Sequence, residues 1–191
     1  MNQMFLFIGL GNPGLKYMNN RHNIGYMIID KINEFYEFPN FVNKKHSCLS
    51  IKKIDDQKVI LLKPTTFMNL SGISAQNIKS FYNIKNENIY VFHDEIDLKP
   101  SEIKIKNGGG NNGHNGLKSI DNHIGKDYYR IRVGVGRPLN NETCKKSDLI
   151  SNWVLSDFSK TEKKEWVDNK INFISKNFYD LKDKVFDVFV K

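Results

Sequence analysis

The hydrophobic residues in the first third of the chain predict three β-strands. An uninterrupted apolar run at 4–8, followed at once by glycines, predicts a buried strand. Two longer strand-like stretches, 47–54 and 57–63, are separated only by Asp55–Asp56. A polar turn this short between two strands predicts a β-hairpin.

Two more strands are predicted further along the chain. A short apolar run at 89–92 ends in the polar sequence His93-Asp94-Glu95-Ile96-Asp97. Residues 129–136 alternate arginine with aliphatic residues, which is typical of a strand whose two faces differ in polarity.

Helical spacing of apolar residues separates these strands. It predicts helices over 24–36 and 71–82, the second with Phe81 on its buried face. Ser159 and Glu162 form a capping-box pattern that predicts the start of a C-terminal helix. The alternation of strands and helices favours an α/β fold: a single domain over 1–191, with a mixed central β-sheet sandwiched by α-helices.

Length and composition narrow the function classes. A chain of 191 residues corresponds to one domain. We expect no membrane span, because no apolar run approaches 20 residues, and no signal peptide, because the N-terminus has no basic region. Cys48 and Cys144 are far apart and form no CxxC motif, which suits the reducing cytoplasm and argues against a disulfide framework or a cysteine zinc site.

The distribution of charge along the chain indicates which class of partner it suits. The formal net charge is +8, and residues 99–146 hold ten Lys/Arg against four Asp/Glu. A basic segment of this kind is common in proteins that bind nucleic acid. The alternative is that the chain is simply rich in lysine and that its charges are solvated.

The sequence Gly9-Leu-Gly11-Asn-Pro-Gly14 spells the dinucleotide fingerprint GxGxxG after a strand. The fingerprint also requires a helix that opens at the third glycine, whereas the predicted helix begins only near Asn23. Pro13 removes an N–H from the loop that would bind the pyrophosphate. We therefore interpret the glycines as a tight turn that approaches some other ligand.

Four further segments carry candidate chemistry. His22 lies just before the first helix, where it is either a catalytic base or an ordinary polar residue. The acidic cluster 93–97 is suited to bind a cation, to orient a base or to form a polar turn. An exposed Phe67–Met68 pair in the loop 63–72 is either core or a stacking platform for a base or an acyl chain. The glycine-rich segment 108–116 is either a flexible lid or a backbone-lined polar site.

Together these segments resemble one family, the bacterial-type peptidyl-tRNA hydrolases. The resemblance covers essentially the whole chain and rests on GLGNPGLKY (9–17), RHNIG (21–25), PTTFMNLSG (64–72), HDEIDL (93–98), NNGHNGLKS (111–119) and RIRVGVGRP (130–138). It implies a monomeric cytoplasmic enzyme with one α/β domain, no metal, no cofactor and no obligate protein partner. The implied reaction is hydrolysis of the ester between a peptide and the 3′ end of tRNA.

The resemblance also implies roles for particular residues. His22 matches the catalytic base, Asp94 the carboxylate that orients it, and Asn12 a residue that distinguishes blocked from free aminoacyl ends. Lys106 and Arg132 match a basic pair that holds the tRNA 5′-phosphate. The remaining matches line the substrate groove: Tyr17, Phe67, Met68, Asn69, His114 and Asn115. One departure is Asn112, where the family usually has glycine.

Two other functions fit the same fold. One alternative is a tRNA- or RNA-binding protein without turnover, in which His22 and Asp94 are merely hydrogen-bonded. The other is a nonspecific hydrolase of small esters, in which the basic pair Lys106 and Arg132 would have no purpose. The simultaneous presence of all the matching site residues favours the enzyme. The sequence contains no GxSxG elbow for a serine esterase.

Overall fold

The computed structural model describes residues 3–139, 145–184 and 186. Its first strand, β1 (Met4–Gly9), leads through two short 3₁₀ turns into α1 (Ile24–Phe35). There follow β2 (Val42–Lys44), β3 (Ser47–Ile54), β4 (Gln57–Pro64), α2 (Ser71–Tyr82), β5 (Ile89–Glu95), β6 (Ile103–Asn107), α3 (Asn115–Ile124) and β7 (Tyr129–Gly134).

The C-terminal part of the described chain is helical. It contains α4 (Lys146–Val154), α5 (Lys160–Glu162) and α6 (Asp168–Asn177), with a π-helical turn at Lys163–Val167 and a final 3₁₀ segment at Phe178–Asp183. The predicted capping box is confirmed, because the Ser159 hydroxyl accepts the Glu162 N–H and the Glu162 carboxylate accepts the Ser159 N–H.

All seven strands form one mixed sheet in the order β2-β3-β4-β1-β5-β7-β6. The four inner strands β4, β1, β5 and β7 are parallel, and antiparallel strands flank them at both edges. The predicted hairpin is confirmed: β3 and β4 pair from Ser47↔Pro64 to Ile54↔Gln57. Both turn residues, Asp55 and Asp56, have positive φ angles, as a tight hairpin turn requires.

Helices cover both faces of the sheet. On one face α1 and α6 pack over a core that includes Phe7, Phe92 and Ile131. On the other face α2 and α3 pack over Leu6, Ile8 and Val91. The α/β class with a sandwiched mixed sheet, as predicted from the alternation of patterns, is confirmed.

Several local predictions differ from the structure. Strand β5 continues to Glu95, so His93 and Asp94 lie in the strand and not after it. Phe81 is 79% exposed, whereas Ile78, which shares its predicted face, is buried together with Ala75. Elements β2, β6, α3 and α4 were not predicted, although the alternation of isoleucine and lysine at 103–106 is a strand signal. Cys144 lies outside the described residues.

Candidate active site

The carboxyl ends of three neighbouring parallel strands form the floor of the site. Strand β1 lies between β4 and β5; Asp94 is at the carboxyl end of β5, and the chain that leaves β1 and β4 carries Asn12 and Met68–Asn69. Ligands of open α/β sheets collect at this edge. The tertiary structure thus brings together motifs that are far apart in the sequence.

His22 reaches this edge because α1 packs unusually close to the strand ends. It lies in the 3₁₀ turn Arg21–Asn23 immediately before α1. A Cβ atom on Gly25 would lie 2.4 Å from both the Leu10 nitrogen and the Phe92 oxygen, so only glycine allows this approach. The first turn of the helix therefore holds His22 against the end of β5.

The central carboxylate of the site is Asp94, which two histidines contact at the same oxygen. His22 Nδ1 lies 2.8 Å and His114 Nε2 lies 3.0 Å from Asp94 Oδ1. His114 caps α3: its Nδ1 accepts the N–H groups of Gly116 and Leu117. Since Nδ1 is an acceptor, the proton of neutral His114 is on Nε2, which donates to Asp94.

The protonation states follow from this arrangement. Burial favours the neutral form of Asp94, but the two histidines outweigh it and hold the pKa of Asp94 well below its usual value. Burial also lowers the pKa of His22, but the charge of Asp94 and its hydrogen bond raise that pKa above 6.5 overall. Asp94 thereby fixes the Nδ1–H tautomer of neutral His22 and leaves Nε2 as the lone-pair nitrogen.

A third histidine, His93, lies against this centre. It is buried, its Nδ1 donates to the Asp94 main-chain oxygen at 2.7 Å, and its ring packs edge-on against His114 with centroids 5.1 Å apart. Burial and the neighbouring His114 lower the pKa of His93 to about 3. His93 is therefore neutral throughout the physiological range, and it supports Asp94 without adding charge.

Asn12 is held rigidly at the end of β1. Its main-chain N–H and C=O both bond to the Asn23 side chain at 2.9 Å. Its side-chain Oδ1 accepts the Met68 N–H at 2.8 Å. With Oδ1 occupied, the Nδ2 group of Asn12 is the part that can bind a substrate, and it can act only as a donor.

These groups line an open cleft of about 670 Å³. The expected groove residues Phe67, Met68, Asn69, His114 and Asn115 all line it, together with His22, Asp94 and Asn12. Tyr17 is not part of this lining. The expectation of an exposed Phe67–Met68 pair is wrong for Met68, which is only 5% exposed because it packs beneath Gly116 at the start of α3.

One wall of the cleft was not foreseen from the sequence. Ile150 and Val154 of α4 and Leu155 just after it form an apolar wall. This wall is fixed to the loop that carries His22: the guanidinium of buried Arg21 stacks on Trp153 at 3.7 Å and bonds to Ser156 Oγ at 2.8 Å. The signal that could have found α4 is the helical spacing of its apolar residues, Leu149, Ile150, Trp153 and Val154.

The predicted basic pair lies on the paired antiparallel strands β6 and β7. Arg132 is bound to the buried carboxylate of Glu95, with its Nε at 3.0 Å and a terminal nitrogen at 2.9 Å from Oε2. Lys106 is exposed and lies against Gly109, and it has no ion-pair partner within the described ranges.

Arg130, a member of the basic segment 99–146, is not available to a nucleic acid. This residue is 1% exposed, and it ties the glycine-rich segment to α3 through Gly110 O and Asp121. Asn112, the departure from the family pattern, has a φ angle of 49°. Asparagine tolerates this left-handed conformation better than most residues, so the segment keeps a conformation that suits glycine.

His22, Asp94 and His114 also place their ligand atoms within 4.8 Å of one another, as in a metal site. The cap on α3 argues against that use. A metal at His114 Nε2 would move the proton to Nδ1, where two backbone N–H groups already donate. The cluster is therefore suited to hydrogen bonding and not to metal coordination.

The fold and the site together define an α/β protein with a buried histidine–aspartate pair at the carboxyl edge of its sheet, facing an open cleft. The chain matches the family model for peptidyl-tRNA hydrolase over residues 6–187. The peptidyl-tRNA hydrolase of Rickettsia canadensis is 48% identical over 176 residues, 92% of this chain and 91% of that protein. The enzyme of Bartonella henselae is 47% identical over 174 residues, 91% and 86% of the two chains.

A solved structure agrees. The crystal structure of the Acinetobacter baumannii peptidyl-tRNA hydrolase superposes with a TM-score of 0.87 at 34% identity, covering 99% of this chain and 94% of the other. The chain therefore belongs to the peptidyl-tRNA hydrolase family, and it is an enzyme. This confirms the family and the activity class inferred from the motifs. Among the described residues, no helix is long and apolar enough to cross a membrane.

Proposed function

We propose that this chain hydrolyses the ester between a peptide, or an N-blocked amino acid, and the 3′ end of tRNA, with His22 as the general base. The observation that carries the proposal is the 2.8 Å hydrogen bond from His22 Nδ1 to Asp94 within the cleft. It leaves Nε2 free to accept a proton from water, since no described residue donates to it. Asp94 then stabilises the imidazolium that forms.

The proposed step needs no group beyond these residues and water. The water oxygen forms a bond to the ester carbonyl carbon while Nε2 of His22 takes one water proton. The tetrahedral intermediate then breaks the bond to the ribose oxygen, which receives the proton from the imidazolium. The products are the tRNA 3′-hydroxyl and the peptide carboxylic acid, which releases its remaining water proton to solvent and becomes a carboxylate; amide N–H donors stabilise the developing oxyanion.

The asparagines and apolar residues of the cleft bind the substrate in this proposal. Asn12, Asn69 and Asn115 bind the peptide main chain and the 3′ end, because an amide group serves any peptide sequence. Phe67 and Met68, which line the cleft, contact the terminal nucleotide or the first amino acid. His114 holds Asp94 in place.

Lys106 and Arg132 bind tRNA phosphate in this proposal, and the salt dependence tests it. We expect Lys106→Ala to raise the KM for N-acetylaminoacyl-tRNA and to reduce its salt dependence by about one counterion, because each phosphate contact releases condensed ions. A short acylated adenosine fragment should be hydrolysed as by the unmodified protein. The measurement is KM between about 50 and 200 mM salt.

Lys164, an exposed lysine on the C-terminal helical segment, provides the matched control. Lys164→Ala should change neither the KM nor its salt dependence. Arg132→Ala should act like Lys106→Ala, but it also leaves the buried Glu95 without its partner, so its unfolding must be measured alongside. Equal losses on full tRNA and on the fragment would contradict a phosphate role for either residue.

The dependence of kcat/KM on pH tests whether His22 is the general base. Only neutral imidazole accepts a proton, so kcat/KM should rise with pH through the pKa of His22, which lies above 6.5. Asp94→Asn keeps an acceptor for Nδ1–H but removes the charge that raises this pKa, so the midpoint should move to lower pH and turnover should fall. A midpoint that is the same in both proteins would exclude His22 as the titrating base.

One comparison separates the enzyme from its alternatives. The chain should release the amino acid from N-acetylaminoacyl-tRNA, whereas a tRNA-binding protein without turnover would bind this substrate unchanged. A nonspecific esterase would cleave a small ester such as p-nitrophenyl acetate with a similar kcat/KM. We further propose that residues 1–191 act in the cytoplasm as a monomer, without metal, cofactor or obligate protein partner.

A further inference from the structure

A second groove lies beside the cleft, on the other side of Asn12. It has a volume of about 810 Å³ and runs between the loop after β1, the helix α1 and the start of α6. Asn12 lines both the cleft and this groove. The two are therefore neighbours that meet at a residue proposed to contact the substrate.

The groove has an apolar floor and an apolar rim. Val167 and Ile171 are buried beneath it together with part of Met27. Leu15 and Met18 stand at its edge, 85% and 56% exposed. Methionine adapts its shape to different partners, so such a surface suits a ligand whose side chains vary.

The opposite rim offers free hydrogen-bonding groups. Asp168 and Asn172 lie four residues apart, hence on the same side of α6, and both line the groove. Neither side chain has a hydrogen-bond partner within the described ranges. A carboxylate and an amide at this spacing can pair with the N–H and C=O groups of an extended peptide.

The charges of the groove do not favour RNA. Lys31 is paired with Glu34 at 2.9 Å, and the charge of Lys163, which donates to the neutral Asn19, is offset by the carboxylate of Asp168. A phosphate backbone requires unpaired cations, and Lys106, which has no ion-pair partner within the described ranges, lies on β6 and not in this groove.

We propose that this groove binds the N-terminal part of the peptide carried by the tRNA, beyond the residues next to the ester. The inference rests on the proposed function, since the cleft must hold the ester for the peptide to pass Asn12. The groove adjoins the cleft at Asn12, is adaptable to sequence and is unsuited to a polyanion. It gives the enzyme affinity that grows with peptide length.

The test compares substrates of two lengths. N-acetylaminoacyl-tRNA ends before the groove, whereas a tRNA carrying about six residues, at roughly 3.3 Å each, extends through it. For the unmodified protein the longer substrate should have the lower KM. Met18→Ser removes an apolar contact, and Asn172→Trp fills the groove. Each should raise the KM of the longer substrate by about tenfold, which for Met18→Ser is the cost of one lost apolar contact. They should leave the short substrate unaffected.

Phe81→Ser is the control, because Phe81 is equally exposed but lies on α2, outside the groove. The inference is overturned if the unmodified protein has the same KM for both lengths. It is also overturned if the groove variants lose activity equally on both, which would mean a role in folding or in the cleft. Failure of the unmodified protein on both substrates instead refutes the proposed function.

Cross-linking locates the peptide directly. His22→Ala, which should retain the substrate, is mixed with peptidyl-tRNA that carries a photoreactive residue five positions from the ester. Adducts should form within 14–19 or 167–172. Adducts confined to strands β6 and β7, or adducts between segments 14–19 or 167–172 and the RNA, would overturn the assignment.

Discussion

Replacement of His22 by alanine should lower the turnover of N-acetylaminoacyl-tRNA by about 10²–10⁴-fold, the usual contribution of a positioned acid–base group. Binding of tRNA should change little, because the imidazole acts mainly in the transition state and the proposed phosphate contacts are elsewhere. The measurement is single-turnover kinetics together with a binding assay on the same variant.

His123→Ala is the matched control for this result. His123 lies on α3, and its Nδ1 bonds to Ser119 O at 2.8 Å, outside the lining of the cleft. It should therefore retain the activity of the unmodified protein. If His22→Ala also retained that activity, the base would be another group.

The second large effect is discrimination against a free amino end. Aminoacyl-tRNA carries an α-ammonium with an ordinary pKa of about 7.7–8.0, whereas an acetylated or formylated end is a neutral amide. In the cleft, Asn12 is held with only its Nδ2 donor free, and a donor pairs with an acyl oxygen but not with an ammonium. We expect N-acetylation to increase the hydrolysis rate by several orders of magnitude, as for other sites built to pair with a polar group.

Asn12→Asp tests the cause of this selectivity. A carboxylate at this position can pair with the ammonium, so the difference between the two substrates should narrow. The aspartate also keeps a side-chain oxygen that accepts the Met68 N–H, so the loop that carries Met68 should stay in place. If acetylation did not change the rate in the unmodified protein, the pairing explanation would be wrong and peptide length would be the remaining source of selectivity.

Local signals in the sequence were sufficient for most of the elements. The Asp55–Asp56 turn and the Ser159–Glu162 capping box are short-range interactions, and both form as expected. The six motifs from 9–17 to 130–138, taken together and in order, were sufficient to identify the family. Helix α4 was missed, although its apolar residues Leu149, Ile150, Trp153 and Val154 recur at helical spacing.

The sequence by itself determined the class of fold, the family and the residue types available for chemistry, because these depend on local patterns and on motifs in order. Only the tertiary structure decided how those residues are used. In the folded protein two histidines contact the same oxygen of Asp94. The guanidinium of Arg130 binds Asp121 of α3, and that of Arg132 binds Glu95. His22 and Asp94 are 72 positions apart in the chain, and the contact between them exists only because α1 packs against the ends of two parallel strands. Charge, burial and protonation state depend on such long-range contacts, which no local pattern in the sequence encodes.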